Sequence, residues 1–214
     1  FNLICFNSKS VLMKKFLFYT WCLIGIIQIS AHAETKVMLF GDSLMAGYGL
    51  TQNYHLDKVL QRKFNAQNVK FINASVSGDT TKGGLDRLDW SLNDNPNLII
   101  LGLGANDMLR GINPEVTRNN LDLIIEKIKN KNIKIILTGM LAQQSYGTKF
   151  NEKFNSIYPD LAKKHKISLY PFLLEGIALN PSLNLEDRKH PNAKGVEIIA
   201  EGLYPLIKKE IFNK

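Results

Sequence analysis

The chain has 214 residues, of which 45% are hydrophobic and 21% charged, with 15 glycines and 7 prolines. This composition is close to that of an average globular domain, and it excludes a collagen-like chain, a coiled coil, a low-complexity polymer and a polytopic membrane protein. The formal net charge of +8 raises the question of nucleic-acid binding, so the positions of the cations matter more than their sum. The length predicts one folded domain whose core needs no disulfide or metal.

The first predicted element is a leader at the amino terminus. Lys14 and Lys15 precede an apolar stretch over residues 16–29, and an Ala-His-Ala tripeptide ending at Ala33 follows it. A basic start, a short apolar segment and an Ala-x-Ala end are typical of a secretory signal peptide, which predicts cleavage after Ala33 and an exported protein, periplasmic or secreted. The alternative is a membrane anchor, but a spanning helix needs about 20 apolar residues.

Cleavage would change the composition of the mature protein. We expect Met13 to be the translational start, with residues 1–12 as upstream sequence. The segment over residues 1–33 holds three lysines and no acids, so its removal lowers the formal charge from +8 to +5. It also holds both cysteines, Cys5 and Cys22, so the mature chain would form no disulfide and no cysteine metal site. The remaining cations are mixed with acids, and no basic run alternates with aromatic residues, which argues against nucleic-acid binding.

Predicted strands and helices alternate along the rest of the chain. The predicted strands are the short apolar runs Lys36–Phe40, Val69–Asn73, Leu98–Leu103, Ile133–Thr138 and Ser168–Tyr170. The predicted helices are the amphipathic stretches Tyr54–Asn65, Thr80–Leu92, Pro114–Lys129, Asn151–His165 and Ala193–Lys209. Such alternation implies right-handed crossovers and a parallel sheet. We therefore expect residues 34–214 to form a single three-layer α/β domain, with helices on both faces of the sheet.

Small and polar residues gather where several of these strands end. Gly41-Asp42-Ser43-Leu44 follows the first strand, Gly78 lies in the loop after the second, and Asn106 follows the third. Asp187 and His190 lie near the carboxyl terminus. In open α/β sheets the chemistry collects in loops beyond the carboxyl ends of the strands. The four segments are therefore expected at one edge of the sheet.

Three of these residues are of the types that acyl transfer requires. Ser43 would be the nucleophile, His190 the base that takes its proton, and Asp187 the partner that fixes the imidazole tautomer. Each also has a non-catalytic interpretation when taken alone. Ser43 would cap a helix, His190 would be a surface or capping residue, and Asp187 would belong to a turn or a cap.

Gly78 and Asn106 are candidates for stabilising a negatively charged oxygen. Such an oxyanion needs hydrogen-bond donors that are fixed before the reaction. Gly78 lies in a turn at a helix start, where backbone N–H groups are free, and Asn106 offers a side-chain amide. Singly they are a turn glycine and a turn asparagine, and only their combination with the other three residues favours a catalytic site.

These segments resemble, in order, the four motif blocks of the SGNH (GDSL) hydrolase family. The family name lists its Ser, Gly, Asn and His, which here would be Ser43, Gly78, Asn106 and His190. Longer stretches over residues 73–81, 104–111 and 157–161 are similar to bacterial arylesterases of the thioesterase I/lysophospholipase group. The resemblance extends over nearly all of residues 36–210.

The resemblance implies a fold, a mechanism and a set of site residues. The fold would be flavodoxin-like, with a five-stranded parallel sheet, and the catalytic triad would be Ser43, His190 and Asp187. The oxyanion hole would use the N–H groups of Ser43 and Gly78 and the side chain of Asn106. No metal and no organic cofactor are implied.

Several positions depart from the pattern expected of this family. Arg188 occupies a position where glycine is common, and Lys189 replaces an apolar residue. Beside His190, these cations would disfavour its protonated form or attract anionic substrates. Gln143-Gln144-Ser145 stands where relatives often carry a proline-containing loop, and Met108 where some carry glycine. The departures leave the catalytic set intact and bear on substrate preference.

Together, the predicted leader and the resemblance imply an exported serine esterase acting on aryl esters, acyl thioesters or lysophospholipids. A carbohydrate O-acetyl esterase is the alternative enzyme, and a non-catalytic binding module on the same scaffold is the alternative outside enzymes. Four apolar residues on candidate pocket loops favour fatty acyl groups over acetyl groups, unless they simply pack in the core: Leu109, Ile112, Met140 and Leu141. The expected partner is a small acyl ester or thioester, with no membrane span after cleavage. The sequence predicts no particular oligomeric state.

Overall fold

The computed structural model describes residues 34–212, which pack as one unit. The predicted leader, its cleavage site and the start at Met13 lie outside the described residues. Among residues 34–212, no helix combines the length and the apolar character needed to cross a membrane.

A five-stranded sheet forms the centre of the fold. Its strands are β1 (Thr35–Gly41), β2 (Val69–Asn73), β3 (Leu98–Gly102), β4 (Lys134–Thr138) and β5 (Ser168–Tyr170). All neighbouring strands are parallel, in the order β2-β1-β3-β4-β5. This is the flavodoxin-like order, in which the direction of strand addition reverses between β1 and β3. The predicted fold class is confirmed.

Eight α-helices connect or follow the strands within residues 34–212. They are α1 (Ser43–Ala46), α2 (Leu56–Lys63), α3 (Thr81–Ser91), α4 (Ala105–Leu109), α5 (Pro114–Lys129), α6 (Thr148–Asn155), α7 (Ile157–His165) and α8 (Ala193–Phe212). Helix α2 packs against α8, whereas α3, α5 and α7 pack in succession against one another. Right-handed crossovers explain this division, because the chain leaves β1 toward one side of the sheet and later crosses to the other. The sheet is therefore covered on both faces.

One predicted helix is wrong in its extent. The stretch Asn151–His165 forms two helices, α6 and α7, which meet at Ser156. The break has a local cause, because Pro159 has no N–H group to donate to the carbonyl of Asn155. The other long helices lie where the sequence predicts them, within a few residues at their ends.

The end of β1 is shaped by two glycines. Gly41 pairs with Gly102 at the ends of β1 and β3. A Cβ atom on Gly102 would lie 2.3 Å from Cε of Met45, and one on Gly41 would lie 2.7 Å from the carbonyl oxygen of Gly102. The missing side chains leave room for the buried Met45 beneath the turn that follows β1. Ser43 is thereby held at the carboxyl edge of the sheet.

Candidate active site

Ser43 is the first residue of α1 and follows β1 by a single residue. That residue, Asp42, is buried and caps the helix, because its Oδ1 accepts a hydrogen bond from the N–H of Leu44 at 3.0 Å. Leu44 and Met45 are buried in the core and anchor the short helix. The turn therefore fixes the Ser43 hydroxyl at the sheet edge.

The Ser43 hydroxyl meets the imidazole of His190. Ser43 Oγ and His190 Nε2 are 2.8 Å apart, and His190 Nδ1 lies 2.5 Å from Oδ2 of Asp187. The other oxygen of Asp187 accepts the backbone N–H groups of Lys189 and His190, at 2.9 and 3.0 Å. The carboxylate is thus oriented by its own turn, and the imidazole by the carboxylate.

The protonation state of Asp187 supports one tautomer of His190. Partial burial opposes ionisation, but the N–H groups of His190 and Lys189, together with the imidazole, lower the pKa of Asp187 to about 2. At neutral pH the group is therefore a carboxylate, which accepts a hydrogen bond from the Nδ1–H group of a neutral imidazole. His190 Nε2 is then free to accept from the Ser43 hydroxyl, as a general base must.

Tyr48 flanks the same imidazole. The ring centroids of Tyr48 and His190 are 4.3 Å apart, with an angle of 33° between the rings. Tyr48 lies in the loop after α1 and is 52% exposed. The aromatic face limits rotation of the His190 ring and forms part of the mouth of the site.

Gly78 presents an unused backbone donor near Ser43. Its φ is +85°, a conformation that residues with side chains rarely adopt, while a Cβ there would meet nothing closer than 4.0 Å. Conformation, not space, is therefore the reason for glycine at this position. Within residues 34–212, the N–H groups of Gly78 and Ser43 donate no hydrogen bond. Both remain available to a ligand.

Asn106 lies at the start of α4, just beyond β3. Its Nδ2 donates a hydrogen bond at 2.9 Å to the carbonyl oxygen of Asp79, the residue that follows Gly78. An amide nitrogen carries two hydrogens, so the second remains available for a further acceptor. The bond to Asp79 brings the third candidate donor next to the Gly78 loop.

Asp107 fixes the position of Asn106. It is buried, and its carboxylate accepts the N–H and the hydroxyl of Thr81 at 2.8 and 2.5 Å and the hydroxyl of Thr117 at 3.2 Å. These bonds connect α4 to the starts of α3 and α5. The segment that carries Asn106 is thus tied to the body of the fold.

Asp42, the residue before Ser43, has an unusual pKa. Burial raises the pKa of Asp42 to about 7, and the negative charges of Asp107 and Asp79 act in the same direction. Near neutral pH a large fraction of this carboxyl group is therefore protonated. Its side chain caps α1 beneath Ser43. Within the described residues it forms no hydrogen bond with His190.

The four predicted pocket residues occupy different environments. Leu109 and Leu141 are both 44% exposed, at the carboxyl edge beyond β3 and β4. Ile112 is half-buried, whereas Met140 packs in the hydrophobic core. Arg188, which directly follows Asp187, is exposed and adopts a φ of +56°. An arginine thus occupies a left-handed backbone position, where glycine is less strained.

A possible metal-ligand group lies elsewhere in the fold. Asp122, Glu126 and His165 place ligand atoms within 4.8 Å of one another on α5 and α7. Asp122 already contacts His165 Nε2 at 2.5 Å and Lys164 Nζ at 2.5 Å. The ammonium group of Lys164 occupies the place that a cation would take. None of the residues predicted for the site belongs to this group.

The structure brings Ser43, His190 and Asp187 together, and connects Gly78 to Asn106 through Asp79. Sequence reasoning assigned no role to Tyr48, Asp79 or Arg87. The Tyr48 ring contacts His190, the carbonyl oxygen of Asp79 accepts from Asn106, and Arg87 donates to the Asp79 carboxylate. Their contacts depend on how distant segments approach one another, and no local pattern in the sequence signals them.

Comparison with known proteins identifies relatives of the whole described domain. Residues 39–198 match the GDSL-like Lipase/Acylhydrolase family. The chain is 35% identical to an arylesterase of Vibrio mimicus over 178 residues, 82% of this chain and 89% of the relative. It is 34% identical to thioesterase 1/protease 1/lysophospholipase L1 of Escherichia coli K12 over 187 residues, 85% of this chain and 89% of the relative.

A solved crystal structure has the same fold as this chain. The psychrotrophic esterase EstA from Pseudoalteromonas, in a crystal structure inhibited by monoethylphosphonate, superposes with a TM-score of 0.79 at 33% identity. The match covers 84% of this chain and all of that one. The topology described above is therefore shared with an esterase over its full length.

Proposed function

Because the chain belongs to the GDSL-like lipase/acylhydrolase family and is a hydrolase of ester bonds, we propose that it acts through an acyl-enzyme on Ser43. The observation that carries the proposal is one continuous set of contacts. Ser43 Oγ lies 2.8 Å from His190 Nε2, and His190 Nδ1 lies 2.5 Å from Asp187. A nucleophile, a base and an orienting carboxylate are thus in hydrogen-bond reach in the required order.

The reaction follows from these contacts. Ser43 Oγ attacks the acyl carbon while its proton passes to His190 Nε2, and the carbonyl oxygen becomes negatively charged. When the tetrahedral intermediate collapses, the bond to the leaving alcohol or thiol breaks, and His190 returns the proton to that group. Water then attacks the acyl-Ser43 ester with His190 as base, which releases the acid and restores the serine. Asp187 stabilises the imidazolium in both halves.

The oxyanion is stabilised by three donors in this proposal. They are the backbone N–H groups of Ser43 and Gly78 and the second Nδ2 hydrogen of Asn106. The first two donate to no other described residue, and Asn106 is held by the carbonyl of Asp79. Donors that are fixed before the reaction stabilise the developing charge without reorganisation at the moment of reaction.

We infer the substrate class from the relatives and from the rim of the site. The named relatives are an arylesterase and a thioesterase/lysophospholipase, so aryl esters, acyl thioesters and lysophospholipids are the proposed substrates. The exposed side chains of Leu109 and Leu141 would contact an apolar acyl or aryl group. The proposed partner is therefore a small ester or thioester, and no feature of the described residues favours nucleic acid.

Export is proposed from the sequence pattern before residue 34. Expression of the natural precursor, followed by mass spectrometry of the mature protein, should give an amino terminus at Glu34 in the exported fraction. A precursor beginning before Met13 would contradict the predicted start. A membrane fraction that retains the apolar stretch would contradict cleavage and support the anchor.

Labelling of Ser43 tests the mechanism. A fluorophosphonate probe should modify the chain beginning at Glu34, and Ser43→Ala should abolish both the labelling and nearly all turnover. The matched control is Ser77→Ala, because Ser77 is an exposed serine in the loop beside Gly78 and should not matter for either readout. Turnover that survives in Ser43→Ala would overturn the proposed nucleophile.

A substrate panel tests the class. It should include short and long p-nitrophenyl esters, acyl-CoA, lysophospholipid and acetylated xylan. We expect turnover of aryl esters and of at least one acyl thioester or lysophospholipid. Activity confined to acetylated xylan would support the carbohydrate esterase instead. If neither turnover nor labelling were observed, the result would support a non-catalytic binding module on this scaffold.

A further inference from the structure

Arg87 reaches three acceptors at the carboxyl edge from the middle of α3, one at the end of β1 and two in the loop after β2. Its side chain is only 19% exposed. Nε donates to Oδ2 of Asp79 at 2.5 Å, Nη1 to the carbonyl of Ala74 at 2.6 Å, and Nη2 to the carbonyl of Gly41 at 3.2 Å. The guanidinium carbon also lies 4.1 Å from the ring centroid of Phe40. Such a set of contacts uses the planar fork and the stacking face that distinguish arginine from lysine.

The contacts with Gly41 and Asp79 lead to the proposed oxyanion donors. Gly41 precedes Ser43 by two residues, and Asp79 directly follows Gly78. The carbonyl oxygen of Asp79 accepts the hydrogen bond from Asn106 at 2.9 Å. One guanidinium therefore contacts the backbone close to Ser43 and also holds Asp79. Asp79 in turn connects Gly78, its neighbour in the chain, to Asn106.

The local structure accommodates the Asp79 carboxylate closely. A Cβ atom on Gly83 would lie 2.8 Å from Oδ1 of Asp79, so the absence of a side chain at Gly83 makes room for the carboxylate. The N–H of Asp79 donates to the carbonyl of Val76 at 3.1 Å. The Asp79 side chain is only 16% exposed, so its pair with Arg87 is screened less than a surface pair would be.

A second arginine holds the same loop from the solvent side. Arg110 Nη2 donates to the carbonyl of Gly78 at 2.8 Å, but this contact is exposed. Exposed contacts of long side chains constrain geometry weakly, because water competes and the side chain loses entropy. The largely buried contact with Arg87 is therefore the stronger restraint on the orientation of the loop.

We propose that Arg87 is a positioning residue of the oxyanion hole. Through Asp79 and the carbonyl of Gly41 it sets the Gly78 N–H and the Asn106 amide relative to Ser43. The inference rests on the proposed function, since it needs an oxyanion at Ser43. Hydrogen bonds weaken steeply when donors are misaligned, so a loop shift would reduce stabilisation of the transition state more than binding of the substrate.

The test compares Arg87→Met with Arg118→Met. Arg118 is a matched control, because it is also largely buried and pairs with Asp160 at 3.1 Å, but it connects α5 to α7 away from the site. Well below their melting temperatures, Arg87→Met should lower kcat about tenfold to a hundredfold, with KM nearly unchanged. Arg118→Met should lower the melting temperature and leave kcat unchanged. Labelling of Ser43 by a phosphonate should slow only in Arg87→Met.

Two further variants make the role specific. Arg87→Lys keeps the charge but cannot reach three acceptors, so it should restore kcat only in part and remains informative if Arg87→Met folds poorly. In an Asn106→Ala background, loss of Arg87 should reduce kcat by a smaller factor than in the parent, because one donor that it positions is already absent.

Three results would overturn the proposal. They are a normal kcat in folded Arg87→Met, an equal loss in Arg118→Met, and full additivity with Asn106→Ala. The proposed function fails separately, by turnover that persists in Ser43→Ala.

Discussion

Two histidine–aspartate pairs with the same short separation lie at different places in this fold. His190 Nδ1 lies 2.5 Å from Asp187, and His165 Nε2 lies 2.5 Å from Asp122. Beyond the distance they differ. The second nitrogen of His190 meets Ser43, whereas Asp122 is shared with the ammonium group of Lys164. A short contact between imidazole and carboxylate therefore does not by itself identify a catalytic base; the proposal for His190 rests on the contact of its other ring nitrogen with Ser43.

The position of each pair in the sheet explains the difference. His190 lies in the loop cluster at the carboxyl edge, where Ser43, Gly78 and Asn106 leave donors unused. His165 is the last residue of α7, just before the amino end of β5, and its carbonyl accepts a hydrogen bond from Lys129 at 2.8 Å. A histidine in the last turn of a helix is stabilised by the helix dipole when charged, which is a structural role.

Two clefts lie at the edge of the sheet opposite the proposed site. These clefts, of about 660 and 830 Å³, are lined by residues at the amino ends of the strands, including Lys134 and Glu210 in both. His165 borders the larger of them. Polar groups there satisfy one another: Lys134 Nζ donates to the carbonyl of Glu210, and Ser168 Oγ to its carboxylate. The proposed site therefore rests on unused hydrogen-bond donors beside Ser43 and not on the volume of a cleft.

The largest effect should come from breaking each pair in turn. His190→Gln should lower kcat by about 10³-fold or more, because the proton of Ser43 then has no acceptor. His165→Gln should leave kcat unchanged and lower the melting temperature, since it removes the contact between the buried imidazole and the Asp122 carboxylate. Steady-state kinetics and thermal melting of both variants measure the two effects. A strong loss of kcat in His165→Gln would mean that the two pairs do not differ as argued.

The pH profile should follow the same pair. Activity should be higher at neutral than at acidic pH, because the proposed mechanism needs an imidazole nitrogen that carries no proton and can accept from Ser43. Rates over pH 5–9 at saturating and at low substrate would measure this. A maximum near pH 5 with a decline above it would contradict His190 as the base.

Asn106→Ala should produce the next largest effect on kcat. It tests the proposed oxyanion hole beside His190. If the amide donates to the oxyanion, its contribution arises in the transition state, and losing one such donor costs about 10²–10³ in kcat. KM should shift little, and labelling of Ser43 should slow because a phosphonate also places charge in the hole. A turn asparagine would instead lower the melting temperature and leave kcat intact. A variant that melts early yet turns over normally would return Asn106 to that role.

The contrast between predicted and unpredicted features has a physical basis. The strands could be placed to within a residue or so, because runs such as Leu98–Gly102 are apolar throughout and follow a polar, turn-forming segment. The helix over Asn151–His165 was wrong because its hydrophobic pattern continues through a backbone break at Ser156. Helices α1 and α4 were missed, since four or five residues show no periodicity.

The candidate site was predictable for a different reason. Parallel strands end at a common edge, so Ser43, Gly78 and Asn106 had to come near one another once the strands were known. The contact of Tyr48 with His190 and that of Arg87 with Asp79 depend on tertiary approach, which no spacing reveals. The role of Leu109, Ile112 and Leu141 as an acyl wall stays a prediction, and Met140 packs in the core.

A smaller effect concerns how the free energy of unfolding depends on pH. It distinguishes Asp42 from the aspartates that are paired. The pKa is lowered for Asp187 and Asp122, which are paired, but raised to about 7 for buried Asp42. Between about pH 4 and 7 the unfolded chain has lost the Asp42 proton while the folded chain still holds it. The free energy of unfolding should therefore fall as pH rises through this window, by at most about 1.4 kcal/mol per pH unit from this group.

Asp42→Asn tests that sign. The variant keeps an oxygen to accept from Leu44 and removes the ionisation, so its melting temperature should gain on that of the parent from pH 4.5 to 7.5. Asp122→Asn is the control. Its carboxylate is ionised in both folded and unfolded chains above pH 5, so its effect should be constant there. Parallel curves for Asp42→Asn and the parent would show that Asp42 is ionised in the folded protein at all these values.

The smallest expected effect is that of a chelator. Asp122, Glu126 and His165 could ligate a divalent ion only if the ammonium of Lys164, 2.5 Å from Asp122, moved away. The contact with Asp122 raises the pKa of Lys164, so the ammonium persists across the working range of an esterase. EDTA should therefore change neither kcat nor the melting temperature, and added zinc should not raise either. A loss of activity on EDTA that returns with a divalent metal would contradict the serine mechanism. If EDTA lowered the melting temperature but left kcat unchanged, a structural metal would be assigned to Asp122, Glu126 and His165. The proposed role of His190 and Asp187 in catalysis would then stand.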